Sequence, residues 1–417
     1  MFIYKKHIEN ENDKPIKVWL SSIDDIEQKC LQQAINIAKL PFIHSHVALM
    51  PDTHTGYGMP IGGVVATKDI ISPNMVGVDI GCGMCFVQTN IPVSLLKETM
   101  TSNGTLLQNI IGTILRNIPT GFSHHKLPQP SFSLDRFKAE VEEKSAYRMA
   151  FDFAKDLQGE IENGYYQIGT LGGGNHFIEL QEDENGMTAI MLHSGSRNFG
   201  YKICKYFNNV AKELNKDQIE EKDLAYLSLE SNEGSAYKVW MDLALDFAME
   251  NRNKMMLKTK EIFYNLVKKH TDFNHLSETM EVNAHHNYAA MEKHFDEDVI
   301  VHRKGAIKVS FGELGIIPGA MGSYSYIVEG LGNKDSFESC SHGAGRKMSR
   351  TSALEKFSTQ FVIEELNADG VVLGKTRKKD VGEECKGAYK DIDFVIGQEL
   401  DLVKPIKKLK TIGVVKG

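Results

Sequence analysis

The sequence predicts an α+β fold in a single domain, residues 1–417, with a mainly helical insertion at about residues 203–270. Three observations predict this class. Short apolar runs read as strands that end at Gly-rich loops, apolar residues within 203–270 recur near the helical period, and no Pro-rich or Gly/Ser-rich linker divides the chain. The strand-like runs are VVAT (64–67), CFVQT (85–89), TAIML (188–192) and AIKVS (306–310).

The segment 203–270 is predicted to contain two or more long helices. Its apolar residues are separated by Lys and Glu, as on a helix with one buried face. We interpret these helices as a scaffold that packs against the rest of the fold, rather than as a source of catalytic groups. The residues that define the spacing are Trp240, Leu243, Phe247, Met255, Ile262 and Leu266.

Composition and charge exclude several classes of protein. The chain has 48 Lys and Arg against 55 Asp and Glu, a formal net charge of −7, which disfavours coating of nucleic acid through bulk charge but allows a local basic groove. Six unevenly spaced cysteines do not form a disulfide scaffold and indicate a reducing compartment. The first residues lack an apolar signal core, and no stretch approaches the ~18 apolar residues of a membrane span. We therefore expect a cytoplasmic protein without membrane association.

The segment MVGVDIGCGM (75–84) places Asp79 and Cys82 three residues apart among glycines, which allow the two side chains to converge. A carboxylate and a thiolate are a possible metal-binding pair. A structural cysteine beside a turn aspartate is an equally good interpretation of this segment alone. Cys82 and Cys85 also form a CxxC, but no second CxxC and no flanking βαβ pattern support a redox or zinc site.

Four histidine positions lie in turn-like sequence beside Gly, Ser, Asn or Arg, and we favour a site shared among them. With one Asp and one Cys, imidazoles form a ligand set suited to zinc, cobalt, iron or manganese. The positions are His176, His193, the pair His285 and His286, and His342.

Gly-rich loops are the third feature of the predicted site, because their exposed N–H groups, hydroxyls and arginines can bind phosphate. None of the loops matches a P-loop or a dinucleotide-binding motif. Four such loops beside a histidine cluster predict a phosphorylated ligand over a metal centre. The chain has no K-x-D-G motif, so a histidine is the better candidate for any nucleotidylated residue. The loops are GTLGGGN (169–175), HSGSR (193–197), PGAMGSYS (318–325) and HGAGR (342–346).

At these motifs the sequence resembles the RtcB family of RNA-splicing ligases. The resemblance runs in the family's order from residue 50 to 417. The matching stretches are MPDTHTGYGMPIGGV (50–64), VGVDIGCGM (76–84), GTLGGGNHFIEL (169–180), LHSGSRNFG (192–200), HHNY (285–288), HRKGA (302–306), IPGAMGSYSY (317–326), SHGAGR (341–346), AYKDID (388–393) and the terminal VKG.

The resemblance implies the RtcB-type fold, with β-sheets around a deep cleft that holds two manganese ions. It implies a GTP-dependent RNA ligase that joins 3′-phosphate or 2′,3′-cyclic phosphate ends to 5′-hydroxyl ends through a histidine–GMP intermediate, in tRNA splicing or RNA repair. The expected partners are GTP and RNA, as tRNA halves or cleaved RNA ends, with the activating protein archease as a further candidate.

The family's functional residues carry over onto matching positions. The resemblance implies His342 as the guanylylated nucleophile, and Asp52 as the carboxylate that orients it. The implied metal ligands are Asp79, Cys82 (bridging both ions), His176, His193 and His286, the last preferred to His285. The implied cofactor-binding positions are Asn175, His176, Phe177, Ile178, Glu179, His286, Asn287, Pro318, Gly319, Ala320, Met321, Ser325, His342, Gly343, Ala344, Gly345, Arg346 and Lys416.

Two rival functions stay open from the residues alone. A dinuclear metal-dependent phosphoesterase would use the same metal ligands but would not need His342, and an inactive RNA-binding paralogue would need none of them. The segment EECKG (383–387) departs from the family's more usual proline-containing sequence. Basic residues that would contact RNA, or merely form a solvated face, are Lys375, Arg377, Lys378, Lys379, Lys407, Lys408 and Lys410.

Overall fold

The computed structural model describes residues 1–376 and 380–417. The predicted RNA contacts Arg377, Lys378 and Lys379 lie outside the described residues. Within the described ranges, twenty strands and twelve α-helices alternate along the chain, with a few short 3₁₀ turns between them. This mixture of helices and sheets confirms the α+β class.

The strands are β1 (Phe2–Tyr4), β2 (Ile16–Val18), β3 (Ile43–His54), β4 (Ile61–Thr67), β5 (Ile70–Ile71), β6 (Gly83–Pro92), β7 (Met100–Thr101), β8 (Gly104–Thr105), β9 (Phe177–Glu182), β10 (Met187–Ser194), β11 (Leu227–Ser228), β12 (Glu278–His285), β13 (Asn287–His294), β14 (Glu297–Lys304), β15 (Ala306–Lys308), β16 (Leu314–Ile317), β17 (Tyr324–Gly330), β18 (Ser339–Ser341), β19 (Val372–Gly374) and β20 (Val403–Lys416). The four runs predicted as strands lie in β4, β6, β10 and β15, although β15 ends at Lys308.

The helices are α1 (Gln28–Ala38), α2 (Pro73–Val76), α3 (Val93–Glu98), α4 (Leu106–Asn117), α5 (Phe132–Glu143), α6 (Ser145–Phe153), α7 (Gln158–Gln167), α8 (Arg197–Leu214), α9 (Asn232–His270), α10 (Arg350–Lys356), α11 (Thr359–Ala368) and α12 (Ile392–Gln398). Segment 203–270 thus holds most of α8 and all of α9, which is 39 residues long. Ser231 begins α9 as an N-cap, because its hydroxyl accepts the main-chain N–H of Gly234.

Two sheets organise the molecule. The larger has eight strands in the order β12-β6-β10-β9-β20-β17-β16, with β19 parallel to β20. The smaller has six strands in the order β1-β2-β3-β4-β14-β13. The chain passes directly from β12 in the larger sheet to β13 in the smaller, and only His286 separates the two strands. The two sheets therefore meet at this residue.

Each sheet buries both of its faces. Helix α4 and the C-terminal half of α9 cover one face of the larger sheet, while α10 and α11 pack on the other. In the smaller sheet, α1 covers one face and α12 packs on the other, against β15 and β18. The N-terminal half of α9 forms a separate helical core with α5, α6, α7 and α8.

No described helix combines the length and the apolar character that crossing a membrane would require.

Candidate active site

The ends of adjacent strands meet at one edge of the larger sheet. Because β12, β6, β10 and β9 are antiparallel neighbours, the last residues of β12 and β10 lie beside the first residues of β6 and β9. The register pairs Gly83 with both His285 and Ser194, and pairs Phe177 with His193. Cys82 and His176 immediately precede Gly83 and Phe177, so all four segments that carry predicted metal ligands reach this edge.

Backbone contacts draw the neighbouring turns together. The N–H of His286 donates to the carbonyl of Cys82 at 2.8 Å, and the N–H of Cys82 donates to the carbonyl of Asp79 at 3.1 Å. Gly195 is required beside them, because a Cβ atom there would lie 2.4 Å from Oδ1 of Asp79. The glycine therefore allows the loop after β10 to approach the Asp79 carboxylate.

Four of the predicted metal ligands converge, and the fifth adjoins them. The Sγ atom of Cys82 lies 3.4 Å from Nε2 of His176 and 3.2 Å from Nε2 of His193. Oδ2 of Asp79 lies 3.1 Å from Nε2 of His176, and Nε2 of His286 lies 3.4 Å from that of His193. All three histidines and the cysteine are buried. We call these five residues the ligand cluster.

Contacts on the far side of two imidazoles fix which nitrogen faces the ligand cluster. Nδ1 of His176 lies 3.0 Å from the carbonyl of Leu171, and Nδ1 of His193 lies 3.3 Å from that of Asn175. A carbonyl can only accept, so each Nδ1 carries the proton and each Nε2 directs a lone pair inward. Burial lowers the pKa of His193 and His286 well below the usual range, which keeps both rings neutral.

The ligand cluster fits a divalent transition-metal cation, because imidazoles with one carboxylate and one thiol form a borderline-soft ligand set. Inward-facing lone pairs from neutral imidazoles, a carboxylate and a thiol repel one another unless a cation lies among them. Burial raises the pKa of the Cys82 thiol well above its usual range, the opposite of what a reactive redox thiol requires. Cys82 and Cys85 are both free thiols, and Cys85 packs among the apolar residues beneath α4.

His285 points away from the ligand cluster. Its Nδ1 atom lies 3.0 Å from the carbonyl of Gly81 and 3.2 Å from Nη2 of Arg252. Burial, followed by the Arg252 charge, lowers the pKa of His285 to about 3. Of the two adjacent histidines, His286 is the one that faces His193.

Asp52 and His342 form a buried pair beside the ligand cluster. Oδ2 of Asp52 accepts from Nδ1 of His342 at 2.6 Å and from the main-chain N–H of the same residue at 3.1 Å. Asp52 is fully buried on β3, whereas His342 follows β18 and its side chain is 16% exposed. The His342 ring centroid lies 4.8 Å from that of His286. The pair and the ligand cluster therefore form one site.

The surroundings hold the Asp52 main chain in place. Nζ of Lys390 donates to the carbonyls of Pro51 and Thr53, both at 2.9 Å. Gly345 has a φ of 73° and packs so closely that a Cβ atom would lie 2.2 Å from the carbonyl oxygen of Asp52. The Gly-rich segment after His342 is thus folded against the main chain of Asp52, whose carboxylate binds His342.

A second group of residues surrounds the predicted Glu179, and two of them, Gln181 and Thr411, were not predicted. The Oε2 atom of Glu179 accepts from Nε2 of Gln181 at 2.8 Å and from Oγ1 of Thr411 at 3.0 Å. Gln181 also donates to Oγ of Ser325 at 3.1 Å, and Ser325 accepts the N–H of Gly319 at 3.4 Å. Burial raises the pKa of Glu179 to about 7. These bonds tie the 318–325 loop to β9.

Arg346 and Lys416 meet at a residue that sequence reasoning missed. Oε1 of Glu384 lies 3.4 Å from Nη1 of Arg346, and Oε2 lies 3.3 Å from Nζ of Lys416. Tyr389 donates its hydroxyl to Glu384 at 2.7 Å and stacks under the Arg346 guanidinium, 4.8 Å away. Burial lowers the pKa of Lys416, although the charge of Glu384 opposes the shift. Lys416, Glu384, Met321 and Gly174 line the same small pocket.

The remaining predicted cofactor-binding residues lie in the core or in the loops around the site. Ile178 directs its side chain into the apolar core with α4 and α9, so only its main chain faces the site. The Asn287 side chain donates to the carbonyl of Asp79 at 3.1 Å and accepts from the N–H of Gly305 at 2.8 Å, which joins two loops. Ala320 and Met321 are buried, and Gly343 adjoins the carbonyl of Pro318.

Most of the predicted RNA-contacting lysines that the structure describes form ion pairs. Lys407 pairs with Asp183 at 3.0 Å, and Lys408 pairs with Asp393 at 2.7 Å while lying over the Tyr324 ring. Lys375 pairs with Asp380 at 3.2 Å. Lys410 is exposed.

Side chains of α9 hold the loops that carry the site. The sequence predicted a scaffold role for this segment but did not identify the residues involved. The fully buried Asn251 accepts the N–H groups of Gly169 and Thr170 and donates to the carbonyl of Gly195 at 3.0 Å. Arg252 donates to the carbonyls of Gly81 and Ser194. The signal available in the sequence was the pair Asn251 and Arg252, two consecutive polar residues within a long helical segment.

Comparison with known proteins gives a consistent result. The family model described as "tRNA-splicing ligase RtcB" matches residues 33–417. The chain is 39% identical over 421 residues to "RNA-splicing ligase RtcB" of Escherichia coli (strain K12), with 97% of each chain covered. It is 31% identical to "tRNA-splicing ligase RtcB" of Methanococcus maripaludis, covering 97% of this chain and 95% of that protein. The corresponding protein of Thermococcus kodakarensis is 29% identical, with 94% and 92% covered.

Proposed function

This chain belongs to the RtcB family, and from that premise we propose that it is a GTP- and manganese-dependent RNA ligase. It joins RNA ends bearing a 3′-phosphate or a 2′,3′-cyclic phosphate to ends bearing a 5′-hydroxyl. The observation that carries the chemistry is the buried Asp52–His342 pair at the edge of the ligand cluster. Similarity to RNA-splicing ligases supports RNA as the substrate.

The ligand cluster would hold two manganese ions through Asp79, Cys82, His176, His193 and His286. When bound, these ions would supply positive charge that offsets the charge of the reacting phosphates. The inward lone pairs of His176 and His193 support this assignment, since neutral imidazole nitrogens are metal ligands and protonated ones are not.

In the first proposed step, Nε2 of His342 attacks the α-phosphate of GTP. A bond forms between nitrogen and phosphorus, the bond to the β-phosphate oxygen breaks, and pyrophosphate leaves. The 2.6 Å bond from Nδ1 to Asp52 places the ring proton on Nδ1, so Nε2 retains the lone pair that attacks. The carboxylate also stabilises the positive charge that develops on the ring.

In the later steps, GMP passes from His342 to the RNA 3′-phosphate, and the nitrogen–phosphorus bond breaks. The 5′-hydroxyl of the second RNA end then attacks the activated phosphate, and GMP leaves. A 2′,3′-cyclic end is first hydrolysed to the 3′-phosphate. Phosphoryl transfers of this kind depend on positioning and charge stabilisation, and we assign these roles to the Gly-rich loops 172–175, 318–325 and 342–346.

The pocket lined by Gly174, Met321, Glu384 and Lys416 is our candidate for part of the nucleotide site. A buried lysine and a buried carboxylate can distinguish guanine from other bases. A base with the wrong hydrogen-bond donors and acceptors would leave these two buried groups unpaired. A phosphoesterase using the same ligand cluster would give the Asp52–His342 pair no role. The pairing of these residues therefore favours the ligase.

The direct test is an RNA-joining assay with purified protein, manganese and defined RNA ends. We expect joining of a 3′-phosphate end to a 5′-hydroxyl end with GTP, and no joining with ATP or with a 5′-phosphate acceptor. Hydrolysis of the 3′-phosphate without joining would support the phosphoesterase. Equal joining with ATP would contradict the guanine-nucleotide assignment.

A further inference from the structure

A second buried carboxyl group lies behind the strand that leads to His342. Glu399 follows α12 at the turn before β20, and its side chain is fully buried. Its Oε2 atom accepts the main-chain N–H of Ser341 at 2.9 Å. Ser341 is the last residue of β18 and directly precedes His342. Glu399 therefore holds the main chain that adjoins the candidate nucleophile.

The surroundings of Glu399 contain no compensating positive charge among the groups that act most strongly on it. These groups are the main chain and hydroxyl of Ser341, the carboxylate of Asp52 on β3, and the carboxylate of Asp401 on its own turn. The thiol of Cys340 on β18 is also close enough to sense its charge. Burial, reinforced by the Asp52 charge, raises the pKa of Glu399 to about 8.

The two carboxyl groups thus differ in their hydrogen bonding. Oδ2 of Asp52 accepts two N–H groups from His342, as an ionised acceptor does. Glu399 accepts only one main-chain N–H, from Ser341, and none from an imidazole. Its Oε1 atom, like Oδ1 of Asp52, has no hydrogen-bond partner among the residues that the structure describes. An ionised group so placed would pay a large desolvation penalty, which the neutral acid avoids.

Building on the proposed function, we propose that Glu399 is a positioning residue for His342. In its neutral form it fixes the Ser341 main chain, so that both N–H groups of His342 reach Oδ2 of Asp52. Ionisation of Glu399 places a second negative charge behind the nucleophile, where it repels Asp52 and the incoming triphosphate. The rate of His342 guanylylation therefore falls as the pH rises through the range in which Glu399 ionises.

The test compares Glu399→Gln, Glu399→Ala and Asp401→Asn with the wild type. The first keeps a neutral acceptor for the Ser341 N–H, the second removes it, and the third removes a nearby carboxylate that does not contact β18. The measurement is the rate of protein labelling at saturating α-labelled GTP and manganese, from about pH 6 to pH 10.

We expect Glu399→Gln to label at the wild-type rate near neutral pH and to lack the decline at alkaline pH that the wild type shows. Asp401→Asn should keep the decline but begin it at a lower pH, because the Asp401 charge no longer raises the pKa of Glu399. Glu399→Ala should label about tenfold to a hundredfold more slowly, because it loses a buried hydrogen bond, with an unchanged KM for GTP. The same alkaline decline in Glu399→Gln and the wild type would overturn the proposal, even if Glu399→Ala failed to fold.

Two further measurements do not depend on ligase activity. The Nδ1–H proton resonance of His342, identified by its absence from His342→Ala, should persist in Glu399→Gln and disappear in Glu399→Ala. A raised pKa in the folded state destabilises the wild type progressively between about pH 4.5 and 8, so the Tm of Glu399→Gln should exceed that of the wild type by a margin that grows over this range. A Tm difference between Glu399→Gln and the wild type that does not change with pH, together with an unchanged His342 resonance in Glu399→Ala, would contradict the positioning role. Failure of the wild type to label would instead contradict the proposed function.

Discussion

Glu384 binds Lys416 through a 3.3 Å contact between Oε2 and Nζ, and both side chains are almost completely buried. Lys416 is the penultimate residue, and strand β20 brings it beside Phe177 at the same sheet edge as the ligand cluster. The charge of Lys416 and the Tyr389 hydroxyl together hold the pKa of Glu384 low, against the effect of burial. The end of β20 is thus fixed at this sheet edge.

We expect Lys416→Met to weaken use of GTP without unfolding the protein. Methionine keeps most of the buried volume, and Glu384 retains Arg346 and Tyr389 as partners. Loss of the proposed charge-assisted contact between Lys416 and GTP should raise the KM for GTP about tenfold or more. The KM is measured as labelling against GTP concentration. Lys404→Met, on the exposed part of the same strand, is the control and should leave KM unchanged. A wild-type KM in Lys416→Met would remove Lys416 from the nucleotide site.

Cys82→Ala should abolish manganese binding and RNA joining, whereas Cys85→Ala should retain both. The sulfur of Cys82 lies within 3.4 Å of two histidine nitrogens, while Cys85 contributes only to the apolar core. Metal content after dialysis and RNA joining are the two measurements. Equal loss in both variants would support a paired CxxC site instead.

Asp52→Asn should slow His342 labelling by about a hundredfold or more, with little change in metal content. An asparagine can present an N–H to the ring, which favours a proton on the wrong imidazole nitrogen. Asp391→Asn, at the exposed N-cap of α12, tests whether removing any nearby carboxylate has the same effect. Unimpaired labelling in Asp52→Asn would contradict the orienting role.

Asn251→Ala should destabilise the fold by about 2–4 kcal/mol in urea unfolding. The substitution leaves the N–H groups of Gly169 and Thr170 and the carbonyl of Gly195 buried without their partner. Asn265→Ala, on an exposed position of the same helix, should change the free energy of unfolding by less than about 0.5 kcal/mol. Equal effects of the two substitutions would show that α9 does not support these loops.

The fold class was accessible from the sequence because local patterns determine it. The apolar runs in β4, β6 and β10 and the periodic residues of α9 specify their own secondary structure. The order of strands in the two sheets was not accessible, because pairings such as β20 with β9 join residues more than two hundred positions apart. No local pattern encodes such a contact.

The motif residues of the site were identified from their sequence context, but their supporting residues were not. Cys82, His193 and His342 lie in unusual Gly-rich or Ser-rich surroundings. Glu384, Asn251 and Glu399 have ordinary neighbours, and their roles come from burial and from partners distant in sequence. Ile178 is the opposite case, because it lies in a recognised motif but does not direct its side chain toward the site. Side chains alternate along a strand, and that of Ile178 points into the apolar core.

His342 becomes covalently guanylylated in the proposed reaction, and peptide mapping after incubation with α-labelled GTP and manganese detects this adduct. We predict one labelled peptide that contains His342, with a bond cleaved by acid and stable in base, as expected of a nitrogen–phosphorus bond. His342→Ala should lose labelling and joining of ordinary ends, yet should still join an RNA whose 3′-phosphate already carries GMP. A label on any other residue, such as a lysine, or an unlabelled wild-type protein, would contradict guanylylation of His342.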